Sequence, residues 1–279
     1  MYSLTNNALT VDVEDWYHVC GSVGSISVPP RRSWRVQCNV EKILALLDEH
    51  GQKATFFMLG SVAENNPSLA PMISLAGHEI ASHGYSHRLV SDLTPQQFRD
   101  ELLLTERILM EQTGQRPFGY RAPQWSLSDQ TSWAFAILLE QGYRYDSSLN
   151  PLPFVGNSRG VRTAYRLEGE GAGLWEIPPM VTRLWSGNMP TGGGWGFRFF
   201  PLMMICKTVD ALNRNNHPAV LYLHPREVDP SGPRLDLPPL KRFVSYGTRM
   251  DAAPRLRKLF GRYRFITLKE LVDEWQHVS

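Results

Sequence analysis

Short apolar runs alternate with amphipathic segments along most of this chain of 279 residues. The run at 8–13 (ALTVDV) predicts a buried strand. The apolar spacing over 39–50 predicts a helix with Asn39 as its N-cap and Gly51 after its end. Repeated strand–helix units in one domain of this length leave two main architectures, a doubly wound sheet and a (β/α) barrel.

The remaining elements follow from the same periodicities. Further strands are predicted at 54–59, 78–82, 118–121, 143–146, 174–178, 219–223 and 264–268. Helices are predicted at 67–76, from the capping box of Thr94 and Gln97 to Gly114, at 129–141, 201–215 and 251–261, and after Thr267 with Glu270. Residues 150–200 are rich in Gly, Pro and Trp and are expected to form a long, site-shaping insertion. The whole chain, 1–279, is therefore expected to be one domain.

Unusual polar side chains follow the apolar strands at the point where each strand ends. In a (β/α) barrel the carboxyl ends of the strands converge on one mouth, where active sites lie. The side chains in question are Asp12, Glu14, Asp15, His83, His87, Arg121, Asp146 and His224. Their positions favour the barrel. No GxGxxG loop follows the first strand, which weakens a nucleotide-binding interpretation.

Charge and cysteine content argue against several classes of protein. A formal net charge of +2 does not indicate a nucleic-acid partner or an acidic tail. The three cysteines, Cys20, Cys38 and Cys206, are widely spaced and odd in number, which argues against a disulfide framework and a thiolate zinc site. Neither a signal-peptide pattern nor an apolar run of about 18 residues occurs. A soluble, cytoplasmic protein is expected, with peripheral contact at the inner membrane as an alternative.

One pair of histidines has the spacing of metal ligands. A hydrolytic metal site needs neutral imidazoles and a carboxylate, with one position left open. His83 and His87 form an HxxxH pair, and Asp15 can complete the set if the strand ends meet. Two loop histidines without a ligand role are the alternative for this spacing alone. The run DVEDW at 12–16 places acids after an apolar strand, where their burial is costly unless a metal or a cation pairs with them.

Four ordered motifs extend this interpretation to a family. VDVEDW, SHGYSH, GYRAPQW and VLYLH resemble the polysaccharide deacetylases of carbohydrate esterase family 4, the NodB-homology superfamily. More narrowly, TVDVEDWYHV, YRYDSSLNP, LWEIPP and LYLHPRE resemble the subfamily associated with exosortase-linked exopolysaccharide loci. The resemblance covers nearly the whole chain. It implies an α/β fold, a distorted (β/α) barrel with fewer than eight regular repeats, and a bound divalent metal, usually zinc, with cobalt, manganese or nickel as alternatives.

The resemblance also implies a metal centre and a general base. The implied metal ligands are Asp15, His83 and His87. Glu14, the first acid of the tandem pair, would be the base that takes a proton from the attacking water. Most members of the family have aspartate at this position. The extra methylene of Glu14 is a departure that moves the carboxylate relative to the metal.

The remaining implied roles belong to later motifs. Arg121 would orient the base carboxylate, and His224 would protonate the leaving amine. Asp146 is the expected support of His224, with Glu176 as the alternative. Gln124 stands where tyrosine often follows the RxP motif, next to the expected backbone contact with the oxyanion.

Aromatic rings and cations supply candidate contacts to a glycan. Substrate contacts are expected from Trp16, Pro123, Gln124, Trp125, Trp185 and Trp195, although core packing is an equal alternative for each tryptophan. A basic C-terminal region is expected mainly as a solvated face, with docking on anionic lipid or on a pyrophosphate-linked glycan as the alternative. It comprises Lys241, Arg242, Arg249, Arg255, Arg257, Lys258, Arg262 and Arg264.

The expected function is N-deacetylation of amino sugars in a bacterial exopolysaccharide or its lipid-linked precursor. The expected partner is thus an N-acetylated oligo- or polysaccharide, and not a nucleic acid. The alternatives are a C–N hydrolase of small cyclic amides or ureides and an inactive sugar-binding homologue.

Overall fold

The computed structural model of the chain describes residues 5–19, 29–153, 155–167, 173–247 and 251–276. Cys20 and Arg249 lie outside these described residues. The strands are β1 Asn7–Val13, β2 Thr55–Met58, β3 Glu79–Ser82, β4 Gly119–Tyr120, β5 Tyr145–Asp146, β6 Tyr165–Leu167, β7 Leu174–Glu176, β8 Thr182–Leu184, β9 Gly187–Met189, β10 Val220–Leu223 and β11 Phe265–Ile266. The α-helices are α1 Val36–Glu49, α2 Gly60–Asn65, α3 Leu69–Leu75, α4 Pro95–Thr113, α5 Trp133–Glu140, α6 Gly194–Phe199, α7 Leu202–Arg214, α8 Pro239–Tyr246, α9 Ala253–Phe260 and α10 Leu268–Gln276.

The main sheet has the strand order β10-β1-β2-β3-β4-β5-β7-β6, with β11 pairing to the start of β1. Every pairing along this path is parallel except that of β6 with β7. The sheet curls into a distorted half-barrel, so the α/β fold expected from the sequence is confirmed. The carboxyl ends of the parallel strands therefore lie at one edge, where they bring distant parts of the chain together.

The central strand β1 is buried along its whole length because it is covered on both faces. Leu9, Val11 and Val13 join the largest apolar cluster of the described residues, which packs the sheet against surrounding helices. Ala8 faces the other way, into a separate cluster that includes Phe57. A strand buried on both faces appears in the sequence as a continuous apolar run, which is why β1 could be predicted.

The long helix α4 has the ends that the sequence predicted. The hydroxyl of Thr94 accepts the backbone N–H of Gln97 at 3.2 Å, and the Gln97 side chain accepts the backbone N–H of Thr94 at 3.0 Å. Gly114 follows the last turn with a φ of 70°, a left-handed conformation that costs glycine little. The predicted capping box and glycine stop are both confirmed.

Other helix boundaries differ from the sequence-based prediction. Helix α1 begins at Val36, and Asn39 is a buried residue inside it whose amide lies 3.3 Å from a carboxylate oxygen of Asp229. The prediction of Asn39 as an N-cap was wrong because this side chain has a partner 190 residues away in sequence. The short helix α2 and the helix α8 were not predicted.

The insertion at 150–200 also contains more regular structure than expected. It holds strands β6 to β9 and helix α6 among its described residues. Strands β8 and β9 form a separate antiparallel hairpin. None of the described helices is both long enough and apolar enough to span a membrane.

The capping box predicts a measurable contribution to stability. We expect Thr94→Ala to lower the free energy of unfolding by about 1 kcal/mol, because the first turn of α4 loses a side-chain acceptor for a backbone N–H. Thr94→Ser keeps the hydroxyl and should be nearly neutral, as should Ser186→Ala on an exposed turn. Urea unfolding of the three variants beside the parent provides the measurement, and equal midpoints for all four proteins would contradict the expectation.

Candidate active site

The guanidinium of Arg121 is fully buried beneath the carboxyl edge of the sheet. Its Nη1 lies 2.7 Å from Oδ1 of Asp12 and 2.8 Å from Oγ1 of Thr10. Its Nε and Nη2 donate to the carbonyl and hydroxyl oxygens of Ser147 at 3.0 and 2.7 Å. Its Cζ lies 4.1 Å from the ring centroid of Phe57. These contacts hold Asp12 in a single orientation.

Glu14 lies beside Asp12 at the end of the first strand, and its carboxylate meets the two predicted histidine ligands. Oε1 of Glu14 is 2.9 Å from Nε2 of His87 and 3.3 Å from Nε2 of His83. All three residues are buried, and their ligand atoms lie within 4.8 Å of one another. Burial alone would raise the pKa of Glu14, but the charges of His87 and His224 and hydrogen bonds from both ligand histidines hold that pKa well below its usual range.

This arrangement fits a divalent cation. Nδ1 of His83 lies 2.7 Å from the carbonyl oxygen of Arg121, and it must donate a proton there because the carbonyl can only accept. Burial would lower the pKa of His83, but the hydrogen bond with Glu14 raises it, so without a metal a proton on Nε2 joins the two groups. In the neutral ring, Nε2 instead presents a lone pair towards Glu14, as a metal ligand does. A cation between the neutral ring and the carboxylate would take the place of that proton, and an N–H···O=C bond from the other ring nitrogen is usual for a metal-binding histidine.

The structure does not bring Asp15 into this cluster. Its carboxylate accepts the backbone N–H of Trp16 at 2.7 Å and that of Arg35 at 3.0 Å, at the start of helix α1. Glu14, which was expected to be the base, therefore occupies the position beside the two histidines that was expected for Asp15. Strand β1 ends at Val13, and beyond it Glu14 approaches His224 as Asp12 does, with oxygens 4.0 and 3.8 Å from Nε2, whereas Asp15 contacts the start of α1.

His224 approaches the same centre from the end of β10. Its Nε2 lies 3.8 Å from Oδ2 of Asp12, and its Nδ1 lies 2.8 Å from Oε1 of Glu227. Burial would raise the pKa of Glu227, but the charge of Arg198 and a hydrogen bond from His224 lower it to about 2. The ionised Glu227 thus accepts the Nδ1 proton and directs Nε2 towards the site.

The expected support of His224 by Asp146 or Glu176 is replaced by this contact with Glu227. Asp146 and Glu176 instead form a buried pair at the ends of β5 and β7, held by the hydroxyl of Ser148 at 2.6 Å and the backbone N–H of Leu149 at 3.0 Å. Burial, and for Glu176 also the charge of Asp146, raises both pKa values. Burial therefore favours the protonated form of this pair.

Two further side chains at the centre were not predicted. Nη1 of Arg226 lies 3.0 Å from Oε2 of Glu14, so a cation faces the second oxygen of that carboxylate. His18 accepts the backbone N–H of Asp15 through Nδ1 at 3.0 Å, and burial followed by the charge of His87 lowers its pKa to about 3. The motifs DWYH and HPRE contain these residues, but no spacing in them indicates a role.

The loop that follows Arg121 is strained at its predicted substrate-contact residues. Pro123 is buried, whereas Gln124 and Trp125 are half-buried and have φ values of 54° and 58°. Positive φ is rare for a bulky residue such as tryptophan and costs free energy. The ring of Trp125 lies 4.9 Å from that of Tyr222 and covers Arg121, so this loop forms one wall of the site.

The other tryptophans expected at the mouth have different surroundings. Nε1 of Trp16 donates to the carbonyl of Ser33 at 2.9 Å, although the residue also lines a small recess beside Arg226. Trp195 packs in an aromatic cluster with Phe199, Phe200 and Phe243. Trp185 is 99% exposed, at the turn of the β8–β9 hairpin.

Several cations of the basic C-terminal region have structural partners. Arg255 donates to two backbone carbonyls, of Phe197 and Phe200. Arg257 pairs with Glu49, and Arg262 pairs with Asp210.

Comparison with known families divides the chain into two matched segments. Residues 28–145 match the family described as polysaccharide deacetylase. Residues 147–273 match a domain of unknown function, DUF3473.

Individual relatives agree with the first of these matches. A peptidoglycan deacetylase of Helicobacter pylori is 30% identical over 209 residues, which cover 72% of this chain and 69% of that protein. A peptidoglycan-N-acetylglucosamine deacetylase of Bacillus cereus is 38% identical over 94 residues, 33% of this chain, and the match spans only 34% of that protein.

Two solved structures share the fold. A putative polysaccharide deacetylase of Mycobacterium smegmatis aligns with a TM-score of 0.61 at 23% identity, covering 85% of this chain and 76% of the other. A Puue allantoinase aligns with a TM-score of 0.65 at 17% identity, covering 98% and 90%. At these identities the likeness concerns the fold alone.

The buried Asp146–Glu176 pair predicts how stability depends on pH. Because folding raises both pKa values, the folded chain binds more protons than the unfolded chain above about pH 4.5, so stability falls as the pH rises through the folded pKa values. Glu176→Gln keeps the shape of the side chain and cannot ionise, so we expect it to reduce this loss, by on the order of 1 kcal/mol at pH 8. Thermal or urea unfolding between pH 5 and pH 8 measures the slope.

The exposed Glu111 provides the matched control for that measurement. Glu111→Gln should leave the pH dependence of the parent unchanged. A Glu176→Gln variant with the same slope as the parent would mean that the pair is ionised in the folded chain.

Proposed function

This chain belongs to the polysaccharide deacetylase family, and on that premise we propose that it is a metal-dependent N-deacetylase of amino sugars in a bacterial exopolysaccharide or its lipid-linked precursor. It is a hydrolase of carbon–nitrogen bonds other than peptide bonds. The observation that carries the proposal is the juxtaposition of two carboxylates at one strand end. Glu14 faces two imidazoles, and Asp12 lies between Arg121 and His224.

We assign the metal-binding role to Glu14, His83 and His87. Two imidazoles and one carboxylate are a common ligand set for catalytic zinc, and three protein ligands leave a position for substrate or water. A divalent cation held there would polarise the acetamide carbonyl and lower the pKa of a water molecule. Arg226, 3.0 Å from the second oxygen of Glu14, would orient that carboxylate.

We assign the role of general base to Asp12. Its Oδ1 is occupied by Arg121, which leaves Oδ2 to accept a proton from the attacking water. The family resemblance places an arginine of the RxP motif against the base carboxylate, and the carboxylate that Arg121 contacts is that of Asp12. The guanidinium fixes the orientation of this carboxylate before the proton is transferred.

His224 is the proposed general acid. Glu227 accepts the Nδ1 proton of His224, so Nε2 is the atom that faces Asp12 and the reacting groups. When the tetrahedral intermediate collapses, the C–N bond breaks and Nε2 of His224 donates its proton to the departing sugar amine. Acetate and a free amino sugar are the products, and no covalent acyl-enzyme is formed.

A hydrolase of small cyclic amides or ureides is the second candidate, since an allantoinase shares the fold. A substrate panel separates the two: N-acetylglucosamine oligomers on one side and allantoin and hydantoin on the other. Acetate release from the oligomers by protein supplied with zinc is the expected result. Turnover of ureides only would support the second candidate, and sugar binding without acetate release under any metal would support an inactive homologue.

Replacement of Asp12 tests the assignment of the base. We expect Asp12→Asn to reduce kcat for acetate release by about 10²–10⁴-fold, because the amide cannot take a proton from water. Zinc content, measured by elemental analysis, should remain that of the parent. An Asp12→Asn variant with parental kcat would remove this residue from the chemical step.

Replacement of Glu14 and Asp15 tests the assignment of the ligand. Removing a residue that only supports a metal ligand typically weakens metal affinity by about 10–100-fold. Glu14→Ala removes a ligand itself, so we expect it to weaken zinc affinity by more than roughly 100-fold. Asp15→Asn should keep zinc affinity near that of the parent, because Asp15 contacts the start of α1. Competition with a chromogenic chelator measures both affinities, and the opposite ranking of the two variants would restore Asp15 as the ligand.

A further inference from the structure

A large groove lies on the flank of the barrel, outside the catalytic centre. It has a volume of about 1390 Å³, somewhat above the 300–1,000 Å³ typical of sites for small molecules. Three elements line it: the segment at 158–163 together with Pro153, the β8–β9 hairpin and one face of α7. A groove of this size accommodates several sugar rings and is larger than a single ring requires.

The walls of the groove are fastened to each other. Oγ1 of Thr182 on the hairpin lies 2.7 Å from Oγ1 of Thr191 and 2.6 Å from Oγ1 of Thr208 on α7. The side-chain amide of Asn188 donates to the carbonyl of Pro151 at 2.8 Å, which ties the hairpin to the segment just before Pro153. These bonds form the groove before any ligand binds, and preorganisation lowers the entropic cost of binding.

The groove carries a strong positive charge. Its cations are Arg159, Arg162, Arg183 and Lys207, and no acidic residue is found among the described residues that line it. All four are exposed, and none forms an ion pair within the described part of the chain. The formal net charge of the whole chain is only +2, so four unpaired cations in one groove are a local concentration.

An exposed aromatic ring stands at the rim of the same groove. Trp185 is 99% exposed at the turn of the hairpin, where no packing explains its presence. Met203, 67% exposed on α7, adds an apolar surface to the lining. Flat rings and thioethers contact the apolar faces of sugars, whereas cations select carboxylate or phosphate groups.

Two of the three elements that line the groove are connected along the chain to segments at the catalytic centre. Ser147 contacts Arg121, and the chain that follows Ser147 leads to the groove residues at 158–163. On the other side, the backbone N–H of Tyr222 donates to the carbonyl of Gly192 at 2.8 Å, so the segment after the hairpin runs beside the strand that ends at His224.

From these observations we infer that the groove binds an anionic stretch of glycan, bearing uronate or sugar-phosphate groups, while an N-acetylated unit of the same polymer occupies the catalytic centre. This inference rests on the proposed function and narrows it to an acidic heteropolysaccharide. A concave, hydroxyl-lined groove fits a chain-like ligand better than a flat bilayer surface.

Binding of a defined acidic oligosaccharide tests the inference without any hydrolysis. The probe is oligogalacturonate, measured by calorimetry against the full-length chain, with neutral N-acetylglucosamine oligomers of equal length for comparison. The variant carries Arg159→Gln, Arg162→Gln, Arg183→Gln and Lys207→Gln. The matched control removes four exposed cations from other surfaces: Arg107→Gln, Lys241→Gln, Lys258→Gln and Arg264→Gln.

We expect oligogalacturonate to bind the parent and the control variant with affinities within about twofold of each other, and the groove variant at least about tenfold more weakly, since charge pairs are specific to position. Binding should weaken as salt rises. Trp185→Ala should also weaken it. Acetate release from neutral oligomers should keep the same kcat in the groove variant and the control variant, so failure of the groove is distinguishable from failure of the catalytic proposal.

Three results would overturn the inference. Equal losses in the groove and control variants would assign binding to net charge. Equal affinity for an oligodeoxynucleotide of the same length would assign it to polyanions in general. Binding to vesicles of phosphatidylglycerol that the groove variant abolishes, without binding of oligogalacturonate, would assign the surface to a membrane.

Discussion

One buried cation, the guanidinium of Arg121, organises the carboxyl edge of the sheet. A charge removed from water is costly unless it is paired and hydrogen-bonded, and each polar nitrogen of this side chain has a partner on β1 or at the end of β5. These bonds join strands that lie more than 100 residues apart in sequence. The same contacts hold Asp12 close to His224, so the side chain that links these strand ends also positions the proposed base.

Around this cation, burial acts on the carboxyl groups in two opposite ways. Glu14 and Glu227 face imidazoles and guanidinium groups, and their pKa values are lowered despite burial. Asp146 and Glu176 face each other, and Glu79 meets the hydroxyls of Thr55 and Tyr145, so burial raises their pKa values. The charged form of a buried carboxyl is thus favoured where an imidazole or a guanidinium faces it, and the protonated form where its neighbours are hydroxyls or another carboxyl.

The proposed metal centre, the proposed proton-transfer pair and the flanking groove are linked through the same strand ends. His224 and Glu227 follow β10, and the segment beside β10 leads back to the hairpin that forms the groove. A polymer that extends from the centre into the groove would thus meet the groove cations on one side of the catalytic centre. Retention of a long chain and hydrolysis of one bond would then depend on separate groups of residues.

The sequence by itself determined the alternation of strands and helices, the cap and stop of α4, and the set of polar residues at strand ends, because these depend on local periodicity and local hydrogen bonds. It also contained the pair His224 and Glu227, three residues apart, although that spacing alone did not indicate their contact. Only the tertiary structure decided which acid of DVEDW meets the histidines, since that depends on where β1 stops and on the capping of α1 by Asp15. Asn39, Arg226 and the groove cations were equally beyond prediction, because their surroundings come from segments distant in sequence and no local pattern specifies a long-range contact.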